Sequence, residues 1–540
     1  MNSKLKYSLL FVLPVILFIT AHVLKVVQGP YYLNFYDPSY VYLINSLNLA
    51  QLSGYGVGHF DHPGTTVQVL GAAGVKLFHL LSNNNQDIVN DVLSRPESYL
   101  FFINKFFVFL NCTALFFLGY FTLKVTDNFL LAILIQLSPF TSTEIFYGLI
   151  IVAPENLLIF CSMFFIASLL YYIFRLNNEN PVPVKLILTW GIICGAGLVT
   201  KLNFIPVLLI PFFLIRGIKG KFYFLTFTLI TFLLLFSPAL YNISNFLSWI
   251  EKLFINNGRY GNGEATIINE STFLSNIILI YTKDKLYTFA YFFCFVTLIT
   301  GWYAKRRKSG IEIYAEVRKR SKLLLLIFIS MNLQILLVAK HYSQHYMIPS
   351  FMLTTFILML SSINLPDYLR NNFNKIKQDQ IILLLIILVS AFSLYKIIFS
   401  YNEGNEQRKE TEIIVNLVNG KYSDDLVISG FGSANYDCAL SFAVLYAADQ
   451  KENYSKILLG KQRSHIFLNP WGNMIYSPLN KDEVYDIISN SKRIILQITS
   501  YGSVEKFMEI LETSFGKRNI TYKKIITNGN DESLYEIYSD

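Results

Sequence analysis

The run YSLLFVLPVILFITAHVLKVV, residues 7–27, is long and apolar enough to cross a bilayer. A hydrocarbon core of about 30 Å takes about 20 residues of helix. Comparable runs recur near 99–123, 128–147, 152–174, 186–201, 203–215, 222–244, 286–304, 323–339, 346–363 and 381–400. A chain patterned in this way is expected to fold as an α-helical polytopic membrane protein with about eleven transmembrane helices. Composition agrees: 53% of the 540 residues are hydrophobic and 15% are charged, against a charged share of about 25% in soluble domains. The basic MNSKLK ahead of the first run is also how a signal peptide begins. No small-residue cleavage site follows, so the run reads as an uncleaved first helix.

The net charge of +9 does not point to nucleic acid. Lys and Arg gather in the loops between apolar runs, where membrane orientation places them. With MNSKLK, Lys124, 175–185, 216–221, 305–322 and 370–377 on the cytoplasmic side, residues 28–98, the turn near Glu155, 245–285, 340–346 and everything after 400 face outward. The short runs 186–201 and 203–215 decide this count. Read as one span they would make ~45 Å of helix and send the densest basic loop outside, so two spans turning at Lys201 are expected. Five cysteines (Cys112, Cys161, Cys194, Cys294, Cys438) show no CxxC spacing, which argues against a disulfide framework or a zinc site.

Residues 401–540 are different material from the transmembrane domain, 1–400. LVISGFG, KILLG and RIILQIT read as short strands and VEKFMEILETSF as an amphipathic helix, which implies a small C-terminal α/β domain on the outer face. GFGSA follows the first strand but lacks a P-loop lysine; a plain turn is the simpler reading.

The outward segments carry the chemistry-bearing residues. Asp37 follows the first span and precedes YVYLINSLNLAQL, a stretch that reads as an interfacial amphipathic helix; Asp37 is either that helix's cap or a reactive acid. Asp61-His62-Pro63-Gly64 is either a turn or a pair of positioned polar groups. Glu155, in VAPENLLIF, is either a first-turn acid favoured by the helix dipole or an acid kept beside hydrocarbon for function. Lys201, in GLVTKLNFIP, and Lys340, His341 and His345, in VAKHYSQHYMIP, are cations at span ends; they either snorkel or hold a phosphate. Arg259 and Tyr260 stand in the glycine-rich INNGRYGNGEA, where Arg suits a bidentate phosphate contact.

In layout over residues 7–363, and in about five short motifs, the chain resembles the GT-C superfamily of polytopic glycosyltransferases, which includes protein O-mannosyltransferases, the lipid A aminoarabinose transferase and oligosaccharyltransferase catalytic subunits. Asp37 is similar to the acid of the first outer loop of the mannosyltransferases, and Phe60-Asp61-His62-Pro63-Gly64 to their Asp-x-His-Pro-Pro motif. Pro154-Glu155-Asn156 looks like their second acidic position. Gly197-Leu198-Val199-Thr200-Lys201-Leu202-Asn203 looks like the Leu-Thr-Lys segment of these transferases, and 340–349 like a late motif of basic residue, Tyr and Pro. Position 38 is proline where a second acid would stand, Gly64 replaces the second proline, and Asp61 and His62 are adjacent.

The resemblance implies transfer of a sugar from a polyprenyl-phosphate donor to a glycan, lipid or protein acceptor on the extracytoplasmic side of a membrane, a bacterial plasma membrane in this reading. Asp37 would be the general base, with Glu155, Asp61 and His62 orienting groups of the catalytic set. Lys201, Lys340, His341, His345, Arg259 and Tyr260 would face the lipid phosphate. No cofactor is required; the divalent metal of some relatives stays an open alternative, weakened by the departures at Pro38 and Gly64. The rival is a flippase or transporter that binds a lipid-linked anion with the same groups; such proteins often show repeats, and the sequence shows none.

Overall fold

The computed structural model describes residues 3–538, apart from 34–35, 55, 84, 177–180, 259–260, 262, 267, 308–314, 370–374, 463–464, 470–473, 492 and 517–519. Among the described residues, seven helices are long and apolar enough to cross a membrane: Lys4–Gln28, Pro96–Thr126, Pro154–Arg175, Ile218–Ile255, Lys285–Ala304, Glu316–Lys340 and Gln378–Asn419. The bent pair Gln344–Met352 and Thr354–Leu365 makes up to eight. This is an integral multi-pass membrane protein.

The remaining apolar runs are shorter or broken pieces. Residues 128–147 divide into Phe129–Gln136, a single turn at Ser138–Phe140, and Thr143–Ile150. Pro139 lacks the N–H that a continuous helix would use, and Ser142 caps the second piece by accepting from the Glu144 N–H. The runs around Lys201 are two short helices, Val184–Thr200 and Leu202–Leu214, as the length argument required.

The chain divides into two compact units. The first comprises Met1–His22, Phe60–Thr66 and Phe106–Ser400. It is the helical bundle, with a core of residues such as Phe146, Ile166, Trp190, Ile210 and Phe356.

The second unit comprises Val23–His59, Val67–Lys105 and Tyr401–Asp540. Among its described residues one sheet has the order β3-β2-β1-β4-β6-β5, with β1 Leu426–Gly430, β2 Phe467–Asn469, β3 Met474–Tyr476, β4 Arg493–Ile498, β5 Thr521–Thr527 and β6 Ser533–Tyr538. β1 pairs in parallel with both β2 and β4; the other pairings are antiparallel. Ile428, Ile466, Leu496, Phe507, Leu511 and Ile537 form the core on one face, and Ile414, Tyr422, Ile495 and Leu534 pack on the other. The amphipathic helix lies where its pattern put it, at Val504–Phe515.

Two expectations fail in this unit. KILLG is the end of helix Lys451–Leu459 and not a strand; its buried residues Tyr454 and Leu458 are four apart, the spacing of a helix face. Ser39–Ala50 is not an interfacial helix, because it is buried along almost its whole length. Its asparagines bond inside the protein: Asn45 Oδ1 accepts from the Gly58 N–H at 2.8 Å, and Asn48 Nδ2 donates to the Ala447 carbonyl at 2.8 Å.

Candidate functional site

The Pro154-Glu155-Asn156 motif opens helix Pro154–Arg175, with Pro154 at its first turn, where a missing N–H costs nothing. Asn156 fastens the preceding turn by donating to the Ile151 carbonyl at 2.9 Å, and Asn111 Nδ2 donates in turn to the Asn156 Oδ1 and carbonyl at 3.0 Å. This leaves Glu155 fixed and buried, 3% exposed. Gly148 lets it fit: a Cβ at that position would stand 2.8 Å from the Glu155 Cβ.

Lys201 breaks the helical path. It is extended, with φ −162° and ψ 132°, between helix Val184–Thr200 and the turn Leu202–Phe204. The Asp61–Gly64 turn docks against this break. Pro63 and Lys201 form an antiparallel bridge. The Leu202 N–H donates to the His62 carbonyl at 2.9 Å, and the Gly64 N–H to the Val199 carbonyl at 3.1 Å. The Thr66 and Thr200 hydroxyls share a bond of 2.9 Å. His62 itself has φ +89°, a conformation that costs a non-glycine residue roughly 1–3 kcal/mol and gathers at functional positions.

The docked break aims the Lys201 ammonium at the Glu155 carboxylate, with which it forms a buried ion pair. The ammonium also lies over the Tyr346 ring, 4.7 Å from its centre, and His345 Nε2 is 3.6 Å from Glu155 Oε1. His345 Nδ1 shares a 2.9 Å bond with the Ser343 hydroxyl. The Tyr346 carbonyl accepts from Asn203 Nδ2 and Gln334 Nε2, each at 2.8 Å, and the His62 ring stands edge-on to Trp249 and tilted to Tyr346. One acid, one ammonium and two imidazoles therefore meet an aromatic group, drawn from four distant segments of the first unit. A desolvated pair of this kind contributes little to stability for its cost, which makes it a candidate for function. Asp61 lies half-buried in the docked turn.

Lys340 and His341 have other partners. Lys340 Nζ donates to the Leu253 and Phe254 carbonyls at 2.8 and 2.7 Å, and the His341 ring nitrogens lie 2.9 and 2.5 Å from the Leu253 and Gly258 carbonyl oxygens. Both residues thus hold the C-terminal end of helix Ile243–Ile255, where cations complement the helix dipole. Arg259 and Tyr260 lie outside the described residues.

Asp37 belongs to the second unit, half-buried in the turn before helix Ser39–Ala50. The N-cap residue of that helix is Pro38, which supplies no side-chain cap. The backbone ahead of Asp37 is held by Glu97, whose carboxylate accepts from the Tyr31 and Tyr32 N–H groups and, at 2.7 Å, from the Tyr40 hydroxyl. Glu97, Trp249 and Tyr346 were not among the expected site residues. Tyr346 had a signal, an aromatic residue beside a cation run at a span end; Glu97 had none.

Among the described residues no three His, Cys, Asp or Glu side chains are grouped to hold a metal ion.

The fold, a helical bundle with a small mixed-sheet unit, has counterparts among solved structures. The chain is similar to ArnT from Cupriavidus metallidurans: to its apo structure with a TM-score of 0.51 at 11% identity, and to its structure bound to undecaprenyl phosphate with a TM-score of 0.49 at 10% identity, each covering 97% of both chains. No protein-family model and no curated protein sequence matches the chain.

Proposed function

We propose that this protein transfers a sugar from a polyprenyl-phosphate donor to an acceptor hydroxyl or amine on the extracytoplasmic face of a bacterial plasma membrane. The observation that carries the reading is the buried Glu155–Lys201–His345 group on a GT-C-like fold, docked against the Asp61–Gly64 turn. Lys/Arg placement supports the outward orientation.

In this reading the acceptor oxygen or nitrogen attacks the anomeric carbon as the bond from that carbon to the phosphate oxygen breaks. Asp37 takes the acceptor's proton, a contribution of about 10²- to 10⁴-fold for general-base catalysis. A single displacement inverts the anomeric centre. The leaving phosphate requires positive charge held in place beforehand. Arg259 supplies it in this reading, and Lys340 and His341 hold the Leu253, Phe254 and Gly258 carbonyls that precede it in the sequence. Lys201 is paired with Glu155, so its role shifts from one of several phosphate ligands to the fixed partner of that acid. Glu155, His345 and His62 orient the acceptor. A divalent metal is not required in this scheme.

The test is incubation of purified protein with labelled polyprenyl-phosphate sugars, following release of lipid phosphate. Release that depends on an acceptor supports the proposal. Intact donor moved across a proteoliposome membrane without cleavage would favour a flippase instead.

A further inference from the structure

In the second unit, the chain leaves β1 toward β2 on one side, and β4 pairs with β1 on the other. The carboxyl ends of β1 and β4 are therefore the switch point of the sheet, the place where open α/β sheets bind ligands. The loop that follows β1 is the GFGSA turn. Its N–H groups have partners within the protein. The Gly432 N–H donates to the Tyr36 hydroxyl oxygen at 3.0 Å, and the Ala434 N–H to the Glu532 carboxylate at 2.8 Å. A carboxylate there also opposes an anion.

What fills the β1 side of this crevice is Tyr36. It is fully buried, its hydroxyl is 3.3 Å from Cys438 Sγ, and its ring packs edge-on against Phe431 and tilted against Phe442. Phe431 in turn meets Tyr501, in the loop after β4. The helix that follows is seated in the same domain: Tyr454 donates to Asn48 Oδ1 at 2.8 Å, and Gln51 Nε2 donates to the Tyr454 hydroxyl at 2.6 Å. A Cβ on Gly58 would stand 2.5 Å from the Tyr446 carbonyl oxygen, so the end of the segment lies against this domain too.

We infer that Tyr36 is a positioning residue for Asp37, and that the C-terminal α/β domain acts as the socket that holds the Asp37 segment by taking Tyr36 into its switch-point crevice. The inference rests on Asp37 being the general base. Asp37 is the next residue along the chain, one peptide unit from a buried ring held by two polar contacts and by aromatic ones with Tyr40, Phe431 and Phe442. A base held this way keeps its angle to the acceptor, and a misplacement of about 1 Å in such a group costs on the order of 10²-fold in rate.

The experiment compares full-length wild type with Tyr36→Phe, which keeps the ring and removes the acceptor of the Gly432 N–H, and with Cys438→Ala, which removes the neighbouring sulfur. Hydrogen exchange is read first, without reference to turnover. Exchange in peptides covering 29–45 and 430–438 is expected to rise roughly 10-fold or more in Tyr36→Phe, with the melting temperature little changed. Unchanged exchange there in both variants would overturn the socket. Turnover is then read as a cycle with Asp37→Asn. Tyr36→Phe alone should lower kcat by roughly 10-fold at unchanged donor KM and have no further effect once Asp37 is Asn. Independent, multiplying losses would overturn the positioning role. Full turnover in Asp37→Asn alone would instead count against Asp37 as the base and leave the exchange result standing.

Discussion

Replacing Lys201 by methionine isolates the energetics of the buried pair. Lys201 and Glu155 are 4% and 3% exposed, so the substitution leaves a carboxylate in the bundle with its ammonium gone and His345 as the remaining nearby imidazole. Removing one partner of a buried pair costs roughly 3–5 kcal/mol, because the other charge stays desolvated. For a unit of this size that is a fall in melting temperature on the order of 10 °C. Lys201→Met with Glu155→Leu removes both charges and fills the space with apolar groups; such replacements are often neutral or stabilising. The double variant should therefore melt well above the single one. Thermal unfolding in one detergent at one scan rate reads both. Turnover measured alongside separates fold from function: the double variant should regain stability and stay inactive. A Lys201→Met protein that melts within about 2 °C of wild type, or a double variant no more stable than the single, would refute the assignment of a buried pair whose charges depend on each other.

Gly148→Ala should act on the same acid without touching any charge: a methyl 2.8 Å from the Glu155 Cβ must displace the helix start, costing roughly 1–3 kcal/mol and lowering turnover, both readable on one preparation. Burial raises the Glu532 carboxyl from 4.5 to about 7, against hydrogen bonds from Ala434 and Gln497 that pull the other way. A folded value above the unfolded one means stability is fully present below pH ~4.5 and is lost as pH rises through ~7; Glu532→Gln should flatten that dependence in a denaturation series from pH 4 to 8. Single cysteines in place of exposed Ser53 and Lys451 should react with an impermeant reagent on intact cells, and one in place of Glu316 should not; the reverse pattern would invert the topology.

The sequence carried the long spans because a bilayer imposes one length on every crossing helix, but of the eleven expected, seven or eight helices reach that length among the described residues, and 128–147 is broken at Pro139. It also carried the break at Lys201, because two runs of that size cannot be one helix across ~30 Å. Partner choice was not legible. Glu155 and Lys201 stood in separate motifs, one given to the acceptor and the other to the phosphate, and the pairing arises from the way the Asp61–Gly64 turn docks against the residue after Thr200. Lys340 and His341 had the same ambiguity between phosphate and backbone, and a carbonyl at the end of a helix is invisible in a list of side chains. The helix after Asp37 was misjudged because its asparagines look polar. Burial turns them into internal hydrogen-bond donors and acceptors, and that depends on a domain about 400 residues later in the chain. KILLG failed for the usual reason that a short apolar run suits either period.

Asp37 stands as the proposed proton acceptor of a sugar transfer from a lipid phosphate. The most direct measurement is acceptor-dependent release of lipid phosphate by wild type and Asp37→Asn, side by side, with donor binding and melting temperature recorded for each. Asn keeps the shape of Asp and its ability to accept a hydrogen bond, so a purely structural role predicts equal turnover. A general base at Asp37 gives a fall of ~10²-fold or more at unchanged binding and stability. Turnover in Asp37→Asn equal to wild type would contradict it.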